Sequence, residues 1–171
     1  MEEFKTIPFK ERFPWIGGDL QTLRDTLRND YLPKDVSNQI KIRISKFPLG
    51  EDKSGNLLAL LDLPENKKQI IALTLLIHGL GGSTSRQGLR RMAVNLQKAG
   101  FAVLRLNLRG AGSGRNLAAG TYCAKCTDDL IPVIKKAREL CKELSKISNL
   151  VEKDLPLFGV GISLGGTILL N

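Results

Sequence analysis

At 171 residues, 42% apolar and 5% aromatic, the chain is long enough for one domain with a real core, which excludes a disordered segment. The formal charge of +9 would suit a nucleic-acid partner only if the cations clustered, and they do not. Lys67 and Lys68 fall in a turn, Arg86, Arg90 and Arg91 on one helix, and Lys135, Lys136, Arg138 and Lys142 on another, spaced like the solvated faces of amphipathic helices, so no nucleic-acid partner is expected.

The amino terminus begins with two acids and carries Pro8 and Pro14 where a signal peptide would place its apolar run. The longest apolar stretch, Ile70 to Ile77, is far short of the roughly 20 residues of a membrane span. The sequence therefore reads as soluble and cytoplasmic, without a transmembrane segment.

Ile40 to Ser45 (IKIRIS) alternates apolar and charged residues, and Leu57 to Leu63 follows the turn signal DKSGN. The two are predicted to form an antiparallel pair. Next, IIALTLLIH from Ile70 to His78 is a continuous run rich in branched side chains, the pattern of a strand buried on both faces. Leu89, Met92, Leu96 and Ala99 then recur at helical spacing, with Gly100 as the stop. A strand from Phe101 to Leu108 leads into the loop RGAGSGRNLAAGTY.

A second helix is predicted from about Asp129 as N-cap, leaving Pro132 at the third position, where its missing N–H costs nothing. Leu130, Val133, Ala137, Leu140 and Leu144 form its apolar stripe. LFGVGIS reads as a short buried strand, and a helix opens at Leu164. Strands joined by crossover helices imply an α/β fold with a mostly parallel sheet covered on both faces.

Gly161-Ile162-Ser163-Leu164-Gly165 matches G-x-S-x-G in its required context, a strand before it and a helix after it. A sharp turn of this kind strains the serine backbone, demands minimal side chains on either flank and exposes the hydroxyl at the carboxyl end of the sheet. The buried strand before His78-Gly79-Leu80-Gly81-Gly82 runs into a second glycine-rich turn. There the Leu80 N–H is expected to meet the Leu164 N–H at the carbonyl oxygen of an acylated Ser163. Gly166 extends the small-residue helix start. Two independent loops in the expected order favour a serine hydrolase over a coincidental turn.

Cys123 and Cys126 form a CxxC. A zinc site needs about four ligands, for which only Cys141 and the single His78 remain. A redox CxxC would open a helix behind a strand, whereas this one follows a glycine-rich loop. The expectation is reduced loop cysteines with no shared role, and no metal.

The chain resembles the α/β-hydrolases, and more narrowly the YheT-like esterases and acyl hydrolases, through PWIGGDLQTL, HGLGG, NLRGAGSGRN, TYCAKCTDDL and GVGISLGGTILLN. These segments run from Pro14 to Asn171. The resemblance differs where the family carries His and Ser-Gly and this chain has Cys123-Ala124-Lys125, and where it carries Asn or His and this chain has Gly17 and Gly18. It implies an α/β-hydrolase domain in which residues 1–38 are an amino-terminal extension and residues 39–171 the sheet core through the nucleophile elbow. It also implies an ester or acylglycerol substrate, an acyl-enzyme on Ser163 and no cofactor.

In that fold the triad acid and histidine both follow the serine. Eight residues follow Ser163 and none is Asp, Glu or His. The triad acid and base are thus absent, and the chain reads as the amino-terminal portion of a domain truncated after the elbow. His78 is expected to be a structural residue of the oxyanion loop rather than the base. With the sheet cut there, the uncharged strand 157–162 is expected to become an edge prone to self-association.

Two other readings stay open. One is a non-catalytic remnant of the same family. The other is a dinucleotide-binding module, suggested by Gly159, Gly161 and Gly165, although their spacing is one residue too long for G-x-G-x-x-G.

Overall fold

The structure, a computed structural model, describes residues 8–27, 31–44, 55–124, 126–149 and 153–171. It divides into two compact units, Met1–Tyr31 and Leu32–Asn171. In the first, Arg12 and Trp15 form an isolated bridge and α1 (Gly18–Leu27) follows. The sheet and the candidate site lie in the second unit.

Its sheet has five strands in the order β1-β2-β4-β3-β5. β1 (Asn38–Ile44) pairs antiparallel with β2 (Gly55–Asp62), and β2 pairs antiparallel with β4 (Phe101–Leu106). β3 (Ala72–Ile77) lies parallel to β4 on one side and to β5 (Leu157–Gly161) on the other. The predicted pairing of the first two strands is present, while most of the DKSGN turn lies outside the described residues.

Every residue of β3 is buried, which explains its unbroken apolar run. Leu73, Leu75 and Ile77 join the core under α3 (Leu130–Ser145) and α4 (Leu164–Leu170), while Leu76 packs with Leu89 and Ala93 of α2 (Gln87–Lys98). Burial of each such side chain contributes about 1.5–3 kcal/mol. α2 stops where predicted, at Gly100 with φ 87°. All five residues of the predicted α3 stripe are buried, and Cys141 joins them.

Three features differ from expectation. β5 is half-exposed rather than buried: it ends the sheet, and Phe158 and Gly159 lie open. Asp129 stands at the N-cap position of α3 but makes no side-chain cap and has helical backbone angles, because its carboxylate is engaged by Arg109. The loop after β4 contains a 3-10 turn, Gly112–Leu117, whose Gly114 packs against Leu58.

β4 also carries a charge that its apolar pattern conceals. Arg105 is 2% exposed and is held by Asp62 (Nε to Oδ2, 2.6 Å), by Asp35 (Nη2 to Oδ1, 2.9 Å) and by the Thr84 carbonyl (Nη1 to O, 2.7 Å). One guanidinium thereby ties the segment before β1, the end of β2 and the loop after β3. Burial alone would raise the Asp35 carboxyl, but hydrogen bonds from Arg105 and Ser37 and the guanidinium charge hold it at about 2.

Candidate active site

Ser163 joins β5 to α4 with φ 51° and ψ −118°, the one described non-glycine residue with positive φ. Such a conformation costs of order 1–3 kcal/mol and persists only where the surroundings impose it. Here they do. A Cβ on Gly161 would sit 2.4 Å from backbone atoms of Gly165 and Gly166, and one on Gly165 would sit 2.6 Å from the carbonyl oxygens of Ile77 and His78. The chain therefore turns from strand to helix in the space of a few atoms. The Ser163 carbonyl accepts from the N–H groups of Gly166 (2.8 Å) and Thr167 (3.2 Å), so α4 starts immediately. Ser163 itself is exposed.

The turn after β3 lies against this elbow. The β3–β5 pairing continues to Ile162, whose N–H donates to the Ile77 carbonyl at 3.0 Å. A Cβ on Gly79 would lie 3.2 Å from Ser163 Cβ and 2.9 Å from the Ile162 carbonyl. Gly79 to Gly82 form a tight turn closed by the Gly82 N–H on the Gly79 carbonyl at 3.1 Å, with Gly81 at φ 66°. Leu80 stands at its tip with its side chain 81% exposed. Leu164, as the first residue of α4, has an N–H that the helix cannot satisfy.

His78 is buried, and both of its ring nitrogens are engaged. Nδ1 lies 2.7 Å from the Gly79 carbonyl, and Nε2 lies 3.2 Å from the Leu108 N–H. The arrangement fits the tautomer in which Nδ1–H donates and Nε2 accepts. Burial lowers the imidazole pKa, partly offset by the bond to Gly79. His78 thus braces the turn after β3 against the end of β4 through both ring nitrogens. The ring also meets Tyr122 edge-on at 5.6 Å.

Tyr122 is a residue that sequence reasoning missed. Its hydroxyl accepts the Gly81 N–H at 2.7 Å, and its own N–H donates to the Arg109 carbonyl at 3.0 Å. Arg109 in turn grips Asp129 through two bonds, Nε to Oδ2 at 2.9 Å and Nη2 to Oδ1 at 2.7 Å. Asn107 accepts the Thr84 N–H at 3.0 Å and donates to the Thr84 hydroxyl at 3.0 Å. The only sequence signal for this frame was the placing of polar residues in and just after an otherwise apolar strand. A cavity of about 730 Å³, lined in part by Leu63, Ile71 and Gly100, opens at the other end of the sheet, away from Ser163.

The glycines of the dinucleotide alternative do not form one turn, because Gly159 sits in mid-strand opposite Leu75. Cys123 and Cys126, expected as loop cysteines with no shared role, lie side by side, with sulfurs 3.2 Å apart.

No protein-family model matches the chain. Over 111 residues it is 27% identical to the medium-chain fatty acid ethyl ester synthase/esterase 2 of Saccharomyces cerevisiae, a match covering 64% of this chain and 22% of that protein. Among solved structures, it is similar to a lidless α/β serine hydrolase of Xanthomonas campestris (TM-score 0.57, 22% identity, 82% of this chain and 57% of that one). It is likewise similar to a soluble variant of the monoglyceride lipase of Saccharomyces cerevisiae bound to a substrate analogue (TM-score 0.56, 23% identity, 79% and 38%). A third is brefeldin A esterase, a bacterial homologue of human hormone-sensitive lipase (TM-score 0.58, 18% identity, 89% and 39%). The chain spans under two thirds of each of these proteins, and the likeness establishes the α/β-hydrolase fold. No helix among the described residues is long and apolar enough to cross a membrane.

Proposed function

We propose that this α/β-hydrolase-fold chain carries the nucleophile of a serine hydrolase that cleaves carboxylic esters or acylglycerols through an acyl-enzyme on Ser163. The observation that carries the reading is the backbone of Ser163, an exposed residue held at φ 51° and ψ −118° between β5 and α4. Gly161 and Gly165 are packed so closely that no larger residue fits beside it. A structural turn has no need to hold a serine in that conformation, and a nucleophile that must stand clear of its own backbone does.

In the proposed reaction the Ser163 Oγ attacks the ester carbonyl carbon and the carbonyl π electrons move to oxygen. The Leu80 and Leu164 N–H groups receive that oxyanion. Collapse of the tetrahedral adduct breaks the bond to the alkoxy group, which leaves with a proton, and water later releases the acid. Gly79, Gly81 and Gly82 shape the turn that presents Leu80, with Tyr122 fixing it from outside. Gly166 lets α4 begin against the strand. The relatives support an ester substrate, since their names specify a fatty acid ethyl ester synthase/esterase and a monoglyceride lipase. The finer placement, a YheT-like acyl hydrolase without metal or organic cofactor, is supported by the segments between Pro14 and Asn171 that resemble that group.

The Ser163 proton needs an acceptor. His78 is the sole histidine of the sequence, and its two nitrogens serve Gly79 and Leu108. This chain by itself is therefore expected to hydrolyse an activated ester no faster than its Ser163→Ala variant. The second reading is a non-catalytic member of the fold, in which His78 only braces the turn.

Fluorophosphonate labelling with added imidazole as an external base separates the two. A nucleophile elbow predicts Ser163 labelling that rises with imidazole and exceeds that of the exposed Ser85 and Ser113. Equal, imidazole-independent labelling of all three serines would reject the hydrolase reading and leave the non-catalytic one.

A further inference from the structure

Cys123 is exposed and Cys126 is buried, with the two sulfurs 3.2 Å apart. Two further bonds link the pair. The Cys126 N–H donates to the Cys123 carbonyl at 3.0 Å, and the Cys123 N–H donates to the Cys126 Sγ at 3.2 Å. Among the described residues no group of three or more His, Cys, Asp or Glu could hold a metal ion, so metal binding does not explain the pairing. Cys141, the third cysteine, lies on the buried face of α3.

We propose that Cys123 and Cys126 form a thiol–disulfide exchange site that reacts with a low-molecular-weight disulfide of the glutathione type. Exposure sets the order of events. Cys123 loses its proton, and its thiolate attacks one sulfur of the small disulfide; that S–S bond breaks and one small thiolate leaves. The mixed disulfide now stands on Cys123 with the Cys126 sulfur beside it. Cys126 loses its proton and attacks the Cys123 sulfur, forming the intramolecular bond and expelling the second small thiolate. The protein dithiol is oxidised by two electrons, the small disulfide is reduced to two thiols, and the two cysteine protons end on them.

The geometry requires the sulfurs to close from 3.2 Å to about 2.05 Å, a change within reach of side-chain rotation. The Cys126 thiol is pushed up to about 11, first by burial and then by its contact with Cys123. Its thiolate is not stabilised, so Cys126 does not favour the reduced form in the way that a low-pKa thiolate does. The site also has a defined neighbour. Cys123 follows Tyr122, which holds Gly81, and Cys126 opens the 3-10 turn Cys126–Asp129 that leads into α3. Oxidation would tie the Tyr122 segment covalently to the start of α3. The exchange chemistry itself does not depend on Ser163 being reactive.

The test uses the full chain, reduced, freed of reductant and exposed to oxidised glutathione without denaturant. Acid quenching, alkylation and tryptic peptide mapping follow. Trypsin cuts after Lys125, so the expected product is a disulfide-linked pair of peptides carrying Cys123 and Cys126, with Cys141 still alkylated. In Cys126→Ser, glutathione should accumulate on Cys123 at roughly ten times the wild-type level, because the resolving thiol is gone. Cys123→Ser should leave the buried Cys126 unmodified. Persistence of the glutathione adduct on Cys123 in the wild-type chain would overturn the proposal, as would equal adduct in wild type and Cys126→Ser. If the variants do not fold, the wild-type map decides alone between linked peptides and a stable adduct.

Discussion

The carbonyl oxygen of His78 occupies the space that a side chain on Gly165 would need, and a Cβ built there would lie 2.6 Å from it. The turn after β3 and the elbow after β5 are thus interlocked, so that neither can relax without displacing the other. The strain at Ser163 is sustained by this contact together with the close approach of Gly161 to Gly165 and Gly166.

Gly165→Ala should accordingly destabilise the chain by about 2 kcal/mol or more, since the clash falls on backbone and no side chain can move aside. Gly161→Ala should do the same. Gly18→Ala is the control, because a Cβ there meets nothing within 4 Å. Urea unfolding midpoints would read the difference. A Gly165→Ala midpoint equal to that of the control would show that the elbow is loosely packed.

His78 gives the fold a pH dependence of predictable sign. Its folded-state pKa is lowered by burial from 6.5, so the unfolded chain takes up a proton more readily than the folded one. Stability is therefore fully present above about pH 6.5 and falls as the pH drops below it. Asp35, held at about 2 against an ordinary 3.8, adds a separate loss of stability between those two values. His78→Gln, which can still hydrogen-bond to the Gly79 carbonyl, should flatten the upper window and leave the lower one. Unfolding free energies measured across both windows would test this, and an unchanged slope near pH 6 in the variant would contradict it.

Much of the fold was legible because its signals are local. The unbroken apolar run of β3, the five-residue stripe of α3 and the glycine stop of α2 each reflect a burial pattern that one segment imposes on itself. The tight strand-to-helix turn at Ser163 was legible for the same reason, since its glycines and serine fall within one short segment. Long-range partners were not legible. Asp129 looks like a helix cap until Arg109, 20 residues earlier, claims its carboxylate. Arg105 looks like a solvated strand residue until β2 and the segment before β1 deliver Asp62 and Asp35. Tyr122 reaches Gly81 across 41 residues. The apolar residues of β5 read as buried, although the expected edge position of 157–162 is the one the sheet order shows, because apolarity alone does not say whether a strand has neighbours on both sides.

The Arg109–Asp129 pair is open to a direct test. Arg109 is 1% exposed, and both of its bonds to Asp129 are short. Asp129→Asn leaves a buried guanidinium with a neutral partner and should cost about 3 kcal/mol. Replacing both residues, Arg109→Met with Asp129→Leu, removes the charges together and should recover much of that loss. A double-mutant cycle from chemical denaturation gives the coupling. Additive losses would mean that the two residues act independently despite their geometry.

The remaining prediction concerns the free side of β5. Residues 157–162, LFGVGI, carry no charge, proline or lysine, the devices by which edge strands usually discourage pairing with another chain. β3 holds one side of β5, and the sheet order ends there. Phe158 is 52% exposed and Ile162 38% exposed, so the edge offers apolar side chains along with a backbone face that no described strand pairs. The chain is expected to associate with itself through this strand, strand against strand, as its concentration rises. Phe158→Lys places a charge on the edge without touching the elbow and should weaken association by roughly tenfold or more, because the lysine would have to be desolvated in the paired form. Sedimentation velocity on both proteins across a wide concentration range supplies the comparison. A wild-type chain that stays monomeric throughout would show that β5 is protected in solution by something other than its sequence, and equal association of the two proteins would place the contact on another surface.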